Sequence, residues 1–416
     1  MIAYHYPPVG ISSGVHRTLK FSQYLPDYDW EPVVLSITPN AYARVTDDQL
    51  TDIRGKQIVN RAYGFDTAKV LAFKGKYPNF LALPDRWISW WPAAVFAGMR
   101  LIKKYKPDVI CSTYPIATAQ LVGLTLHKIT GIPWVADLRD SMVDPDYPTN
   151  PLQRSVFRWL EKKTVSNAAK LVFTAPGALR MYQDRYPDVP DSHFELIANG
   201  YDENDFSRAV AMAKEMSEHL TTGNGQAPLR IVHSGALYPS ERDPMPFFEV
   251  IAGLKAEGEI SNESLRVILR ATGHDEFYRP LLRQFGIDDI VELAPALDYR
   301  DALVEMLTCD GLLLFQAGNC NHQIPAKVYE YIRTGRPILA LATPDGDTAS
   351  VLDEVGVGQL VAIDDREAVR HGFLTFFQQL STGETAGLPM EKVQHYSRYA
   401  RTAELAALLD SLVCPH

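Results

Sequence analysis

The chain has 416 residues, 46% of them apolar and 22% charged, which is ordinary globular usage and more length than one typical core holds. Its 41 basic and 50 acidic side chains leave a net charge of −9, which argues against general nucleic-acid binding. The four cysteines, Cys111, Cys309, Cys320 and Cys414, have no paired spacing of the kind zinc or a redox dithiol requires, and they read as thiols in a reducing compartment.

The first residues carry no basic segment and Pro7-Pro8 interrupts any apolar core, so no secretory signal is expected. Short apolar runs then alternate with helical patterns. Residues 33–37, 109–112, 134–136 and 171–174 predict buried strands in the first half, and 229–233, 265–269, 290–293, 311–315, 338–341 and 360–363 do so in the second. Helical stretches such as 93–105 and 245–254 separate them, which implies repeated βα units and parallel sheets with helices on both faces. The longest apolar run, 87–99, contains Ser89 and Pro92 and falls short of the ~20 residues a bilayer span needs. Trp87-Ile88-Ser89-Trp90-Trp91 precedes Arg100, Lys103, Lys104 and Lys106, which suits either an interfacial contact with anionic lipid or tryptophans packed in the core. The polar stretch 202–228 reads as a domain boundary, because Thr221-Thr222-Gly223-Asn224-Gly225 lacks periodicity. Leu405, Leu408, Leu409, Leu412 and Val413 predict a final amphipathic helix.

Residues 324–337 run through a loop, a short helix, a glycine stop and a buried strand. Pro325 suits the first helical position, and Gly335 before Pro337 supplies the stop. Lys327 and Glu330 share one helix face while Val328 and Ile332 share another, so a cation and a carboxylate stand near a helix N-terminus that favours an anion. The pair suits a diphosphate-sugar site; the alternative is a surface ion pair on an amphipathic helix. No Asp-x-Asp triplet stands at a strand end, since Asp144-Pro145-Asp146 lies in a proline-rich loop. His5 and His233 read as core histidines at buried strands, and His16 as a lone histidine after a glycine turn.

The 324–337 stretch resembles the donor-site motif of retaining family 4 glycosyltransferases with the GT-B fold. In that family a helical Glu holds the ribose of a nucleotide-sugar and a nearby Lys meets its phosphates; an earlier Glu, eight positions before the helical one, is replaced here by His322. Tyr4 to Gly10 with Ser12-Ser13-Gly14-Val15-His16-Arg17 is similar to the family's first strand and glycine loop, and Glu31 to Ser36 to its second strand. Trp134 to Asp140 is similar to the strand end that carries Asp-x-Arg-Asp in one branch. Ala198-Asn199-Gly200-Tyr201-Asp202 resembles the junction motif, and Val232 to Tyr238 with Arg242-Asp243-Pro244 resembles the opening of the C-terminal domain.

The resemblance implies an α/β GT-B fold, two Rossmann-like parallel-sheet domains facing across a cleft. Residues 1–205 would form the acceptor-side domain, 206–228 a linker and 229–394 the nucleotide-sugar domain, with a helix at about 395–416 packing back on the first. It implies transfer of a sugar from a nucleoside-diphosphate sugar to an acceptor hydroxyl with retention, in polysaccharide or glycolipid synthesis. Gly14, Arg242, Lys327 and Glu330 would bind the donor, and Arg242 with Lys327 would stabilise the departing diphosphate. Gly14 otherwise serves a tight turn, and Arg242 a solvated one. Asp140 would orient the acceptor hydroxyl or act as its base; otherwise it belongs to an Asp–Arg ion pair, with Arg139 as partner, that fixes the loop. No metal or cofactor is expected beyond the nucleotide-sugar substrate. The partners would be the donor and a saccharide or lipid-linked acceptor, with possible peripheral membrane contact of a cytoplasmic protein. The alternatives are a non-hydrolysing nucleotide-sugar epimerase and a non-catalytic nucleotide-sugar-binding subunit, the latter favoured by His322.

Overall fold

The computed structural model describes residues 1–10, 14–47, 49–71, 77, 79–145, 147–219, 227–239, 241–383 and 389–413. Ser12, Ser13, Asp146, Cys414 and residues 221–225, named in the expectations above, lie outside the described residues. The chain divides into two compact units, Met1–Asn199 with Arg398–His416, and Gly200–Ser397.

In the first unit β1 (Val33–Ile37) pairs with β2 (Ile58–Ala62), and β3 (Ile110–Thr113), β4 (Trp134–Leu138), β5 (Lys170–Phe173) and β6 (Phe194–Leu196) pair in sequence, all parallel. Residues 1–3 stitch the two groups together: Leu35 N–H donates to Met1 O (2.8 Å) and Ile2 N–H to Cys111 O (2.7 Å). The chain order across the sheet therefore reverses between residues 1–3 and β3, and in such sheets ligand sites lie at the carboxyl ends of the strands beside that reversal. The helix Arg398–Val413 lays Leu405, Ala406, Leu408 and Leu409 against Phe21 and Leu25, and Trp30 Nε1 donates to Asp410 at 2.9 Å.

The second unit has one parallel sheet of β7 (Leu229–Ser234), β8 (Leu265–Arg270), β9 (Val291–Ala294), β10 (Gly311–Gln316), β11 (Ile338–Ala342) and β12 (Gln359–Val361). Its order is β12-β11-β10-β7-β8-β9, so the reversal falls between β7 and β10. Every residue of β10 and β11 is buried, as continuous Leu/Ile/Ala runs covered on both faces require. Phe247, Phe248, Ile251 and Leu254 of the helix Met245–Ala256 and Val369, Phe373 and Phe376 of the helix Arg366–Thr382 cover one face.

The structure corrects two boundaries. Glu203–His219, which overlaps the first half of the expected 206–228 linker, is a helix of the second unit. Its start carries a side-chain cap, Asp202 Oδ1 accepting from Asp205 N–H at 3.1 Å, and its inner side buries Phe206 and Ala209 completely. The final helix, expected at about 395–416, is present with a later start. Met390–His395 is a separate helix in the second unit, and the final helix begins at Arg398.

The tryptophans of 87–91 are spent on packing. Trp90 is fully buried, Trp91 Nε1 donates to Thr125 at 3.0 Å, and the Trp87 ring lies 4.7 Å from that of Tyr4. Trp90 is thus wholly a core residue, while Trp87 and Trp91 are half-buried. Among the described residues no helix is long and apolar enough to cross a membrane.

Candidate functional site

In the second unit three of the four expected donor residues, Arg242, Lys327 and Glu330, gather where β7 ends beside β10. The helix Lys327–Thr334 begins there, its first turn hydrogen-bonded through Val328 N–H to Pro325 O (3.0 Å), and Gly335 closes it with φ of 73°. Lys327 is the first helical residue and Ala326 the N-cap, so the helix starts two residues after the expected Pro325. Buried Val328, Tyr329, Tyr331 and Ile332 anchor the helix, and Tyr331 Oη accepts the Ser234 N–H at 2.8 Å. The helix is thus fixed to the last residue of β7 by its own side chain.

That attachment places Lys327 over the residues that follow the strand. Lys327 Nζ lies 3.0 Å from His233 Nε2, and His233 Nδ1 lies 2.9 Å from Leu313 O. A carbonyl only accepts and an ammonium only donates, so the ring carries its proton on Nδ1 and offers its Nε2 lone pair to Lys327. Gly235 has φ of +105°, and a Cβ there would stand 3.1 Å from Lys327 Nζ. Glycine therefore serves both the left-handed backbone and the room for the ammonium.

Burial first, and then the Arg242 guanidinium, hold Lys327 well below the ordinary lysine range, while Glu330 acts in the opposite sense. His233 is likewise held well below the usual imidazole range, by burial and then by the charge of Lys327. Arg242 closes its own loop: Nη1 donates to Ala236 O at 2.9 Å and the guanidinium lies 5.4 Å from the Tyr238 ring centroid. Glu330 Oε1 accepts from Tyr299 Oη at 2.8 Å. His322 is partly buried, with Nε2 at 3.4 Å from Gln323 Nε2. Arg242, Lys327 and Glu330 therefore share one neighbourhood. His233, expected to be a satisfied core histidine, is satisfied in part by Lys327. The signal was the polar His233-Ser234-Gly235 ending an apolar strand.

Gly14 and Asp140 belong to the first unit. Gly14 opens the helix Gly14–Tyr24, and its carbonyl accepts from Arg139 Nη1 at 2.7 Å while Arg139 Nε donates to Tyr114 O at 2.6 Å. The Asp137-Leu138-Arg139-Asp140 segment also holds an ion pair to a residue outside it. Asp137 pairs with Arg17 (3.0 Å), whose guanidinium also donates to Ile197 O and Ala198 O at 2.9 Å each. Asp140 is exposed at the end of β4, close enough for its charge to act on Arg139 and Tyr114. His16 is buried, with Gln49 Nε2 3.2 Å from its Nδ1, and it faces the interior of the unit. Among the described residues no group of three or more His, Cys, Asp or Glu is placed to hold a metal ion.

Residues 66–200 match the family model described as a glycosyl transferase 4-like domain. Anabaena HepE solved with UDP-glucose has a TM-score of 0.66 at 14% identity, over 99% of this chain and 98% of that one. Sucrose-phosphate synthase from Thermosynechococcus elongatus gives 0.66 at 16% identity, over 99% and 98%. The N-terminal domain of Candida albicans trehalose-6-phosphate phosphatase gives 0.71 at 13%, over 99% and 96%. No curated protein sequence matches the chain significantly. Two parallel-sheet units and these likenesses define the GT-B fold. Within that fold, residues 66–200 carry the likeness to a glycosyl transferase 4-like domain.

Proposed function

We propose that the chain transfers a hexosyl or related unit from a nucleoside-diphosphate sugar to an acceptor hydroxyl with retention, in cytoplasmic polysaccharide or glycolipid synthesis. The observation that carries this reading is the Lys327 ammonium, held over Gly235 at the strand-order reversal between β7 and β10. One N–H of Lys327 goes to His233, and its others would meet the diphosphate. As the bond from the anomeric carbon to the diphosphate oxygen breaks, charge moves onto the leaving group, and Lys327 and Arg242 would stabilise it. Glu330 would accept from the ribose hydroxyls, and Gly14 would let backbone approach a phosphate. Asp140 would orient the acceptor hydroxyl or take its proton. UDP is the natural first donor nucleotide to test, because HepE was solved with UDP-glucose. Retention rests on the resemblance to the retaining family.

The test is a thermal-shift screen of nucleoside diphosphates followed by transfer assays with the matching sugars. A diphosphate that raises Tm, and whose sugar is passed to an added saccharide or lipid-linked acceptor, is the expected outcome. Turnover should persist in excess chelator, because cationic side chains are proposed to carry the leaving-group charge. Activity abolished by chelation and restored by Mg2+ or Mn2+ would overturn that part. Donor binding without turnover under any acceptor would favour a non-catalytic binding subunit.

Glu330→Ala should weaken nucleotide-sugar binding about tenfold, the order of one charge-assisted hydrogen-bond pair, with the fold retained because this side chain lies outside the apolar core. Tyr299 loses its acceptor in that variant, so Tyr299→Phe is the control. Unchanged donor affinity in Glu330→Ala removes the ribose assignment, and an equal loss in Tyr299→Phe makes the effect one of loop support.

A further inference from the structure

We propose that His233 is the positioning residue for Lys327: its imidazole, locked by the main chain of β10, holds the ammonium at the diphosphate site before the donor arrives. The inference rests on the donor-site reading of Lys327 given above.

His233 is fully buried on a central strand of the parallel sheet. A polar ring at such a position is costly unless both nitrogens are paired. One pairs with Leu313 O, which is part of the sheet and cannot move alone; the other pairs with Lys327. The two bonds run in series from the backbone of β10 to the ammonium, with the ring also packed 5.3 Å from the Phe315 ring.

Lysine is a flexible four-carbon stem, and its freedom must be lost before it can serve a phosphate. A buried acceptor that takes one N–H fixes Nζ in advance and lowers that loss at the moment of binding. The arrangement also acts on charge. Arg242 opposes the ammonium and Glu330 favours it, while the neutral Nε2 lone pair favours it further. A phenylalanine would fill the same space without either bond. An asparagine would keep the reach to Leu313 O and lose the reach to Lys327.

The experiment measures UDP affinity by calorimetry over a pH series for wild type, His233→Phe, His233→Asn, His233→Gln, Lys327→Ala and the His233→Phe/Lys327→Ala double variant. His233→Phe and His233→Asn should weaken UDP by about tenfold and move the alkaline fall in affinity to lower pH, because the ammonium has lost an acceptor. His233→Gln, whose amide oxygen reaches Lys327, should stay within about threefold of wild type. In the Lys327→Ala background, His233→Phe should change nothing further. If Phe does not fold, Asn and Gln carry the comparison. Wild-type affinity and pH profile in His233→Asn, or an equal loss from His233→Phe with and without Lys327, overturns the proposal and leaves the donor site standing. Wild-type UDP affinity in Lys327→Ala removes the donor-site reading itself.

Discussion

Replacement of Lys327 by alanine lowers sugar transfer by about 10²- to 10³-fold, the loss typical of removing one preorganised group that stabilises developing negative charge. The donor KM changes less, because the leaving diphosphate gains charge as the glycosidic bond breaks and the contact strengthens with it. Arg242→Ala acts in the same direction, more weakly, since part of that guanidinium is engaged by the Ala236 carbonyl. The pH dependence follows from the lowered Lys327 value. The charged form binds the diphosphate, so affinity falls as pH rises through the folded value, and that fall sets in well below the ordinary lysine range. Lys327→Arg, whose guanidinium stays charged, abolishes the alkaline fall. Steady-state kinetics with a UDP-sugar and calorimetry with UDP check both statements. A loss of donor affinity with kcat unchanged would mean uniform binding, and full turnover would take Lys327 out of the site.

Arg17→Ala destabilises the first unit by about 3–5 kcal/mol, the range for breaking one partner out of a buried ion pair. Arg17 is 3% exposed and serves Asp137, Ile197 O and Ala198 O at once, with Phe21 beneath its guanidinium at 4.7 Å. Its removal leaves Asp137 with the Thr113 hydroxyl at 3.1 Å and strips a donor from two carbonyls after β6. Arg17→Lys recovers little, because one ammonium cannot replace a planar fork that reaches three acceptors. Denaturant unfolding followed by tryptophan fluorescence reads the loss, six tryptophans being present in the chain. A change below about 1 kcal/mol would show the pair to be no stronger than a surface contact.

The strands most legible in the sequence are those buried on both faces. Residues 311–315 and 338–341, read as continuous apolar runs, are β10 and β11 with one added residue each. The strands missed are β2 and β6, which lie at the two edges of their sheet. Four of the five β2 residues are only partly buried and β6 has three residues, so neither leaves a clear period in the chain. The 203–219 helix was missed for a related reason: its buried side is narrow, and Val210 and Met216 are exposed.

The sequence by itself determined the alternation of strands and helices, the glycine stop at Gly335 and the placing of Lys327 and Glu330 at one helix start, because these depend on periodicity and backbone preference over a few residues. It also marked Arg242 and Asp140 as strand-end charges. Only the tertiary structure decided which partner each charge takes. Arg17 is 120 residues from Asp137, and Lys327 is 94 from His233. Sheet order brings these groups together: the reversal between β7 and β10 sets the Leu313 carbonyl beside His233, and the Tyr331 bond to Ser234 fixes where Lys327 begins its helix. Pairing across such distances is set by strand register and helix docking, and no local spacing encodes it.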